Sequence, residues 1–241
     1  MIETARLSPP LTEQQIENNR AYIAAGVDPC AFWCLNRQGW NDAWIDGYWN
    51  GYHNPHRRLI VEVLQQFTPV ASVLEVGCHC GPNLRLLAEH YPGVELHGVD
   101  LSDSAVTQGR ASLAAVGVKA KLTCGFIPVA LAQYADDQVE WVVSCFTLAY
   151  VPPDRLAWTL REMWRIASRG LLIYEPQAFT SDAAVRREDP GLGPYIDYTH
   201  CYLGALLNDR VFYDAVVTVF ERPAGERLNA LMAVYRDGTN G

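Results

Sequence analysis

A chain of 241 residues, 49% of them apolar and 19% charged, can bury a sizeable core as one large domain or as a domain with a small appendage. With 27 acidic against 19 basic residues and a formal charge of −8, it lacks the broad basic footprint of a nucleic-acid or anionic-lipid binder. No run approaches the roughly 20 apolar residues of a membrane span, and the start, Met1-Ile2-Glu3-Thr4-Ala5-Arg6, has an early acid and no apolar stretch before Pro9-Pro10. Seven scattered cysteines fit a reducing compartment, so a cytoplasmic protein without a membrane partner is expected. Neither Cys30 and Cys34 nor Cys78 and Cys80 has a second pair at finger-like spacing, and no metal site is expected.

In chain order, Thr12 and Gln15 match a capping box after Pro9-Pro10, and Ile16, Ala21, Tyr22 and Ile23 supply a helix face up to Gly26. The stretch 32–56 is dense in aromatics, with Phe32, Trp33, Trp40, Trp44, Tyr48, Trp49 and Tyr52. It precedes the first strand, so beside a core role it can serve as a lid or wall over a pocket. Residues 1–55 are therefore read as an N-terminal helical segment and 56–241 as the main domain. Leu59, Ile60, Val63 and Leu64 repeat at helical spacing before Thr68-Pro69.

From Ser72 short apolar runs alternate with amphipathic helices. Strands are predicted at 73–76, 94–99, 119–124, 139–145 and 171–174, with helices at 84–91, from the cap Ser102 to Val116, and from Pro152-Pro153-Asp154 onward. This alternation predicts right-handed crossovers and a doubly wound parallel sheet, Rossmann-like in class. Residues 177–199 are polar and turn-rich and are read as a long loop. A short helix at 202–207 follows, and 211–220 with 228–235 form a C-terminal antiparallel hairpin around Arg222-Pro223-Ala224-Gly225.

The organising motif is Val73-Leu74-Glu75-Val76-Gly77-Cys78-His79-Cys80-Gly81. A buried strand, a two-glycine turn and a helix start bring backbone N–H groups close to a nucleotide-like ligand. Asp100, about twenty residues farther on at the end of the second strand, is placed to accept the two hydroxyls of a ribose; the other use of its carboxylate is as a helix cap. Glu75 selects among ribose ligands. An acid there opposes a pyrophosphate and suits a ligand with a cationic centre and an amino group, which favours S-adenosylmethionine over a dinucleotide.

On these residues the chain resembles the class I S-adenosylmethionine-dependent methyltransferases, in their small-molecule branch. The glycine turn looks like the family's first motif and Gly98-Val99-Asp100-Leu101-Ser102 like its second strand. The stretches Val142 to Pro152, Arg161 to Ile166 and Gly170 to Pro176 are similar to its fourth strand, following helix and fifth strand, and the resemblance covers roughly residues 56–236. It implies a seven-stranded, mostly parallel sheet with the terminal hairpin. It further implies that Glu75 and Gly77 meet the methionine end, that Gly81 shapes the turn, that Asp100 holds the ribose, and that His79 belongs to the cofactor-binding turn without a specific contact assigned to it. Leu101, Gly125 and Phe126 would flank the adenine, and Cys145 and Phe146 would line the cofactor. Three departures stand out: His79 where glycine is common, Gly125 in place of an acid, and a short Ser168-Arg169-Gly170 turn.

Methyl transfer needs a nucleophile aligned with the activated methyl, and a base if the acceptor is a hydroxyl or protonated amine. His53, His56 and His200 are the candidate bases, with Tyr150 and Tyr198 as hydrogen-bonding partners. His200 is preferred because it follows Tyr195-Ile196-Asp197-Tyr198-Thr199 in the loop expected to border the pocket. The fourth strand ends in neither Asp-Pro-Pro-Tyr nor Asn-Pro-Pro-Tyr, nor in Pro-Cys, nor in a metal-binding aspartate. The expected activity is therefore methyl transfer to a small molecule at O or N. An NAD(P)-dependent oxidoreductase and a non-catalytic S-adenosylmethionine-binding protein are the alternatives.

Overall fold

The computed structural model describes residues 42–151, 153–178, 183–189, 193–224 and 227–236. The capping box near Thr12, the cysteines Cys30 and Cys34, and the aromatics Phe32, Trp33 and Trp40 lie outside the described residues.

Nine strands and seven helices are described, with brief 3-10 turns between them. In chain order they run α1 (Asp42–Asn50), α2 (Pro55–Leu64), β1 (Ser72–Val76), α3 (Pro82–His90), β2 (Glu95–Asp100), α4 (Asp103–Ala115), β3 (Ala120–Cys124), α5 (Ile127–Leu131), β4 (Val139–Cys145), α6 (Pro153–Ile166) and β5 (Ala167–Pro176). The strands β6 (Ala183–Asp189) and β7 (Gly193–Thr199), the helix α7 (Tyr202–Leu207), and the strands β8 (Ala215–Ala224) and β9 (Arg227–Arg236) complete the chain.

The main sheet has seven strands in the order β3-β2-β1-β4-β5-β9-β8. The first five are parallel and the last two form an antiparallel hairpin beside β5. Period-two alternation distributes its side chains to two layers. Leu74, Val76, Val142 and Ile173 pack with Leu156, Leu160, Met163 and Trp164 of α6 on one face. Val73, Trp141, Val143 and Leu172 pack with Ile60, Leu64, Leu84 and Leu87 of α2 and α3 on the other. Helix α6 forms because its apolar residues recur three and four apart, with Asp154 in its first turn and Arg165 in its last to match the macrodipole.

Two expectations are corrected. Within 177–199, expected as a loop, β6 and β7 pair antiparallel from Ala183↔Thr199 to Asp189↔Gly193. Polar, charged strands outside the main sheet carry no apolar alternation, so pattern reading sees only turn residues there. The strand expected from Val211 starts at Ala215, because Asp209 accepts from the Val211 N–H and caps a 3-10 turn over Arg210–Phe212.

Helix α1 carries part of the aromatic stretch onto the glycine turn. Ile45 is fully buried against Cys80 and Ala105, and the Cys80 thiol donates to the Ile45 carbonyl at 3.6 Å. Arg85 lies over the rings of Tyr52 and Trp49, at 3.6 and 4.9 Å from their centroids.

Candidate active site

Reversal of strand order between β1 and β4 opens a crevice beyond their carboxyl ends, the place where open α/β sheets bind ligands. The loops leaving the two strands nearly touch: a Cβ on Gly77 would sit 1.8 Å from Thr147 Oγ1, and Gly77 has φ 79. Only glycine fits there. A cavity of about 370 Å³ opens at this point, lined by Glu75 and Gly77 from β1 and its loop, Cys145 and Phe146 from β4 and its loop, and Arg57 and Asn83 from α2 and α3.

A relay of hydrogen bonds fixes the base of the cavity. Arg57 Nη1 donates to Asn83 Oδ1 at 2.8 Å, and Asn83 Nδ2 donates to Glu75 Oε1 at 2.5 Å. All three residues are buried. Glu75 Oε2 and Arg57 Nε have no hydrogen-bond partner among the described residues. Burial pushes the Glu75 carboxyl up to about 7, against the lowering effect of the Asn83 hydrogen bond and of Arg57. A buried cation and a buried acid with open valences, bridged by one amide, suit a zwitterion: carboxylate to Arg57, ammonium to Glu75.

The acid at the end of β2 is equally held. Asp100 Oδ2 accepts the His79 N–H and Oδ1 the Ser102 N–H, both at 2.8 Å. Burial raises the Asp100 carboxyl, and these backbone donors oppose the rise. His79 holds a left-handed φ of 49, uncommon for a non-glycine residue, and this turn aims its N–H at Asp100. Its ring packs 4.6 Å from the Tyr48 ring of α1, and burial with the neighbouring Arg57 drives its pKa down to about 3, so it is neutral. At the adjoining strand ends, the Gly125 N–H donates to the Asp100 carbonyl, beside half-buried Leu101 and Phe126.

The loop after β4 is held by Glu175. Its Oε1 accepts from Ser144 Oγ at 2.6 Å and from the Thr147 and Leu148 N–H groups at 2.8 and 3.0 Å, and its Oε2 from Ala149 at 3.3 Å. Burial nonetheless lifts its pKa to about 7. These bonds secure Phe146 at φ 55, a conformation that costs a bulky residue about 1–3 kcal/mol.

The candidate bases fare differently. His56 lines the cavity, its ring 6.0 Å from that of Phe146, and burial with Arg57 lowers its pKa to about 4. His200 is not in the lining: its ring is fully buried and its Nε2 is bonded to the Val151 carbonyl at 2.8 Å. His53 is exposed, edge-on to Tyr52, and Tyr150 closes a 3-10 turn. Neither lines the cavity. Among the described residues no group of three or more His, Cys, Asp or Glu side chains is gathered as metal ligands, and no helix is long and apolar enough to cross a membrane. Sequence reasoning missed Arg57, Asn83, Tyr174 and Asn229, which reach the cavity through contacts distant in the chain. The one available signal was for Tyr48, as part of the aromatic stretch read as a lid or wall.

Comparison with known proteins agrees with this geometry. Residues 73–170 match a family described as a methyltransferase domain. With this match and its sheet order, the chain is similar to methyltransferase domains. It is similar to the carboxy-S-adenosyl-L-methionine synthases of Campylobacter curvus, 25% identical over 139 residues, and of Aeromonas hydrophila, 25% over 138. These matches cover 54% and 56% of this chain and 58% and 55% of the relatives, so the chain spans about half the length of the curated relatives it matches. In fold it is similar to the 1,6-didemethyltoxoflavin-N1-methyltransferase of Burkholderia thailandensis, solved with S-adenosylhomocysteine, at TM-score 0.62, 15% identity and 98% coverage of both chains. Magnesium protoporphyrin IX methyltransferase from Synechocystis PCC 6803, solved with its cofactor, gives TM-score 0.57 at 15% identity, covering 94% of this chain and 99% of that one.

Proposed function

We propose that this protein transfers the methyl group of S-adenosylmethionine to a small-molecule acceptor held in the cavity beyond β1 and β4. The observation that carries the reading is the Arg57–Asn83–Glu75 relay, whose open valences match the carboxylate and ammonium of the methionine moiety. Asp100 accepts the ribose hydroxyls through lone pairs its backbone donors leave free. Leu101, Gly125 and Phe126 flank the adenine, and Gly77 lets the β1 turn approach the sulfonium end.

The sulfonium is the activated group and supplies the electrophilic methyl. The protein's task is to align the acceptor atom with the methyl–sulfur bond and to keep water out. Of the histidines considered as bases, His56 is the one the cavity presents, as a neutral imidazole. Thermal-shift measurement tests the reading: S-adenosylmethionine and S-adenosylhomocysteine raise the melting temperature and NAD does not. A shift with NAD alone overturns it in favour of an oxidoreductase.

A second reading follows the curated relatives, named for making carboxy-S-adenosyl-L-methionine. The buried Arg57 guanidinium, with its Nε open, is the group that favours it, as a counter-ion for an added carboxylate. Mass spectrometry of the nucleoside recovered after incubation with candidate co-substrates separates demethylated from carboxylated products.

A further inference from the structure

The cavity that holds the groups suited to the methionine moiety is also walled by rings, those of His56, Phe146 and Tyr174. Phe146 stands edge-on to Tyr174 at 5.0 Å and to His56 at 6.0 Å. The Phe146 backbone is fixed in the left-handed region, where bulky side chains rarely sit, and four hydrogen bonds to Glu175 hold the segment around it. A conformation maintained against such strain at a cavity wall places the ring for a purpose.

Asn229 comes to the same space from the far hairpin. It opposes Pro176 in the β5–β9 ladder, and because β9 runs antiparallel its first residues lie at the end of the sheet where β4 and β5 stop. Asn229 lines the cavity, and its Oδ1, sealed from solvent, has no hydrogen-bond partner among the described residues. A closed-off amide oxygen is an acceptor lacking its donor. The nearby ionisable pair, Arg57 and Glu75, is bridged through Asn83 and matched to the methionine zwitterion, which leaves neutral groups for a second occupant.

We propose that the cavity also takes a flat, uncharged aromatic acceptor whose O–H or N–H is received by Asn229 Oδ1, with Phe146 and Tyr174 as its walls. The assignment rests on the methyltransferase reading above and adds the substrate class. His56, neutral because burial lowers its pKa, completes the ring lining without adding charge.

The test is calorimetric titration of the full chain, first with S-adenosylhomocysteine and then, at saturation, with 2-naphthol and with its methyl ether as probes. The naphthol binds about three- to tenfold tighter than the ether, the effect of one buried hydrogen bond. Asn229→Leu makes the two equal while leaving S-adenosylhomocysteine affinity at the wild-type level, and Phe146→Ala weakens both. Asn229→Ser, which keeps an acceptor oxygen in a smaller side chain, retains a preference if the leucine variant does not fold. Equal affinities in the wild type, or no binding of either probe to the loaded protein, overturn the acceptor assignment alone. Failure of S-adenosylhomocysteine to bind overturns the cofactor reading and this one with it.

Discussion

On the proposed function, Glu75 links the chemistry of a single carboxyl to cofactor capture. In the empty protein burial holds its pKa near 7, and an incoming ammonium stabilises the charged form, so binding releases a proton whenever the carboxyl starts protonated. Cofactor affinity is therefore expected to rise as pH increases from about 6 to 8, with proton release visible in calorimetry across buffers of different ionisation enthalpy. Glu75→Gln removes both the release and the slope. For His200 the residue scale gives a structural expectation. Removing a fully buried ring that bonds to the Val151 carbonyl leaves an unsatisfied acceptor and a void, so His200→Ala costs about 2–4 kcal/mol in urea unfolding. Turnover per folded molecule then decides its role: a fall beyond tenfold restores His200 as a base.

At the scale of elements, the loops after β1 and β4 act as one unit. Gly77 admits Thr147 only because it lacks a Cβ, so Gly77→Ala forces the loops apart and abolishes S-adenosylhomocysteine binding, measured by thermal shift. Glu175 is the internal cap of the β4 loop, and Glu175→Ala leaves three backbone N–H groups without their acceptor. A loss of at least about 2 kcal/mol in chemical denaturation is expected. The glycine turn, its acid and the strand–helix alternation were legible in the sequence because each is a local pattern of a few residues. The β6–β7 pair was not, since its strands lack apolar alternation. Nor was the Arg57–Asn83 contact, which joins residues 26 apart in the chain.

For the molecule as a whole, buried carboxyls with raised pKa values and buried histidines with lowered ones pull the pH dependence of stability in opposite directions. Glu75 and Glu175 both titrate near 7 when folded and in the ordinary carboxyl range when unfolded. His56 and His79, lowered to about 4 and 3, hold fewer protons folded than unfolded up to about pH 6.5, whereas between about pH 4.5 and 7 the two carboxyls hold more. Their joint contribution to stability falls as pH rises through that window and levels off above it. Melting of Glu175→Gln, which removes one of these carboxyls, is expected to fall less or rise more with pH across that window than melting of the parent protein. Identical pH profiles for the two proteins would contradict the raised pKa of Glu175.

The sequence by itself determined the doubly wound class, the strands that build the parallel half of the sheet, and the turn from Val73 to Gly81 with Asp100 beyond it. Those features follow from periodicity and from residues whose conformational freedom or charge acts locally. Only the tertiary structure decided what faces the ligand. It brought Arg57 and Asn83 over Glu75, turned Phe146 inward, delivered Asn229 through an antiparallel strand, and buried His200 against Val151. Those choices depend on how distant segments pack and on which polar groups that packing leaves unsatisfied, and no local pattern encodes either.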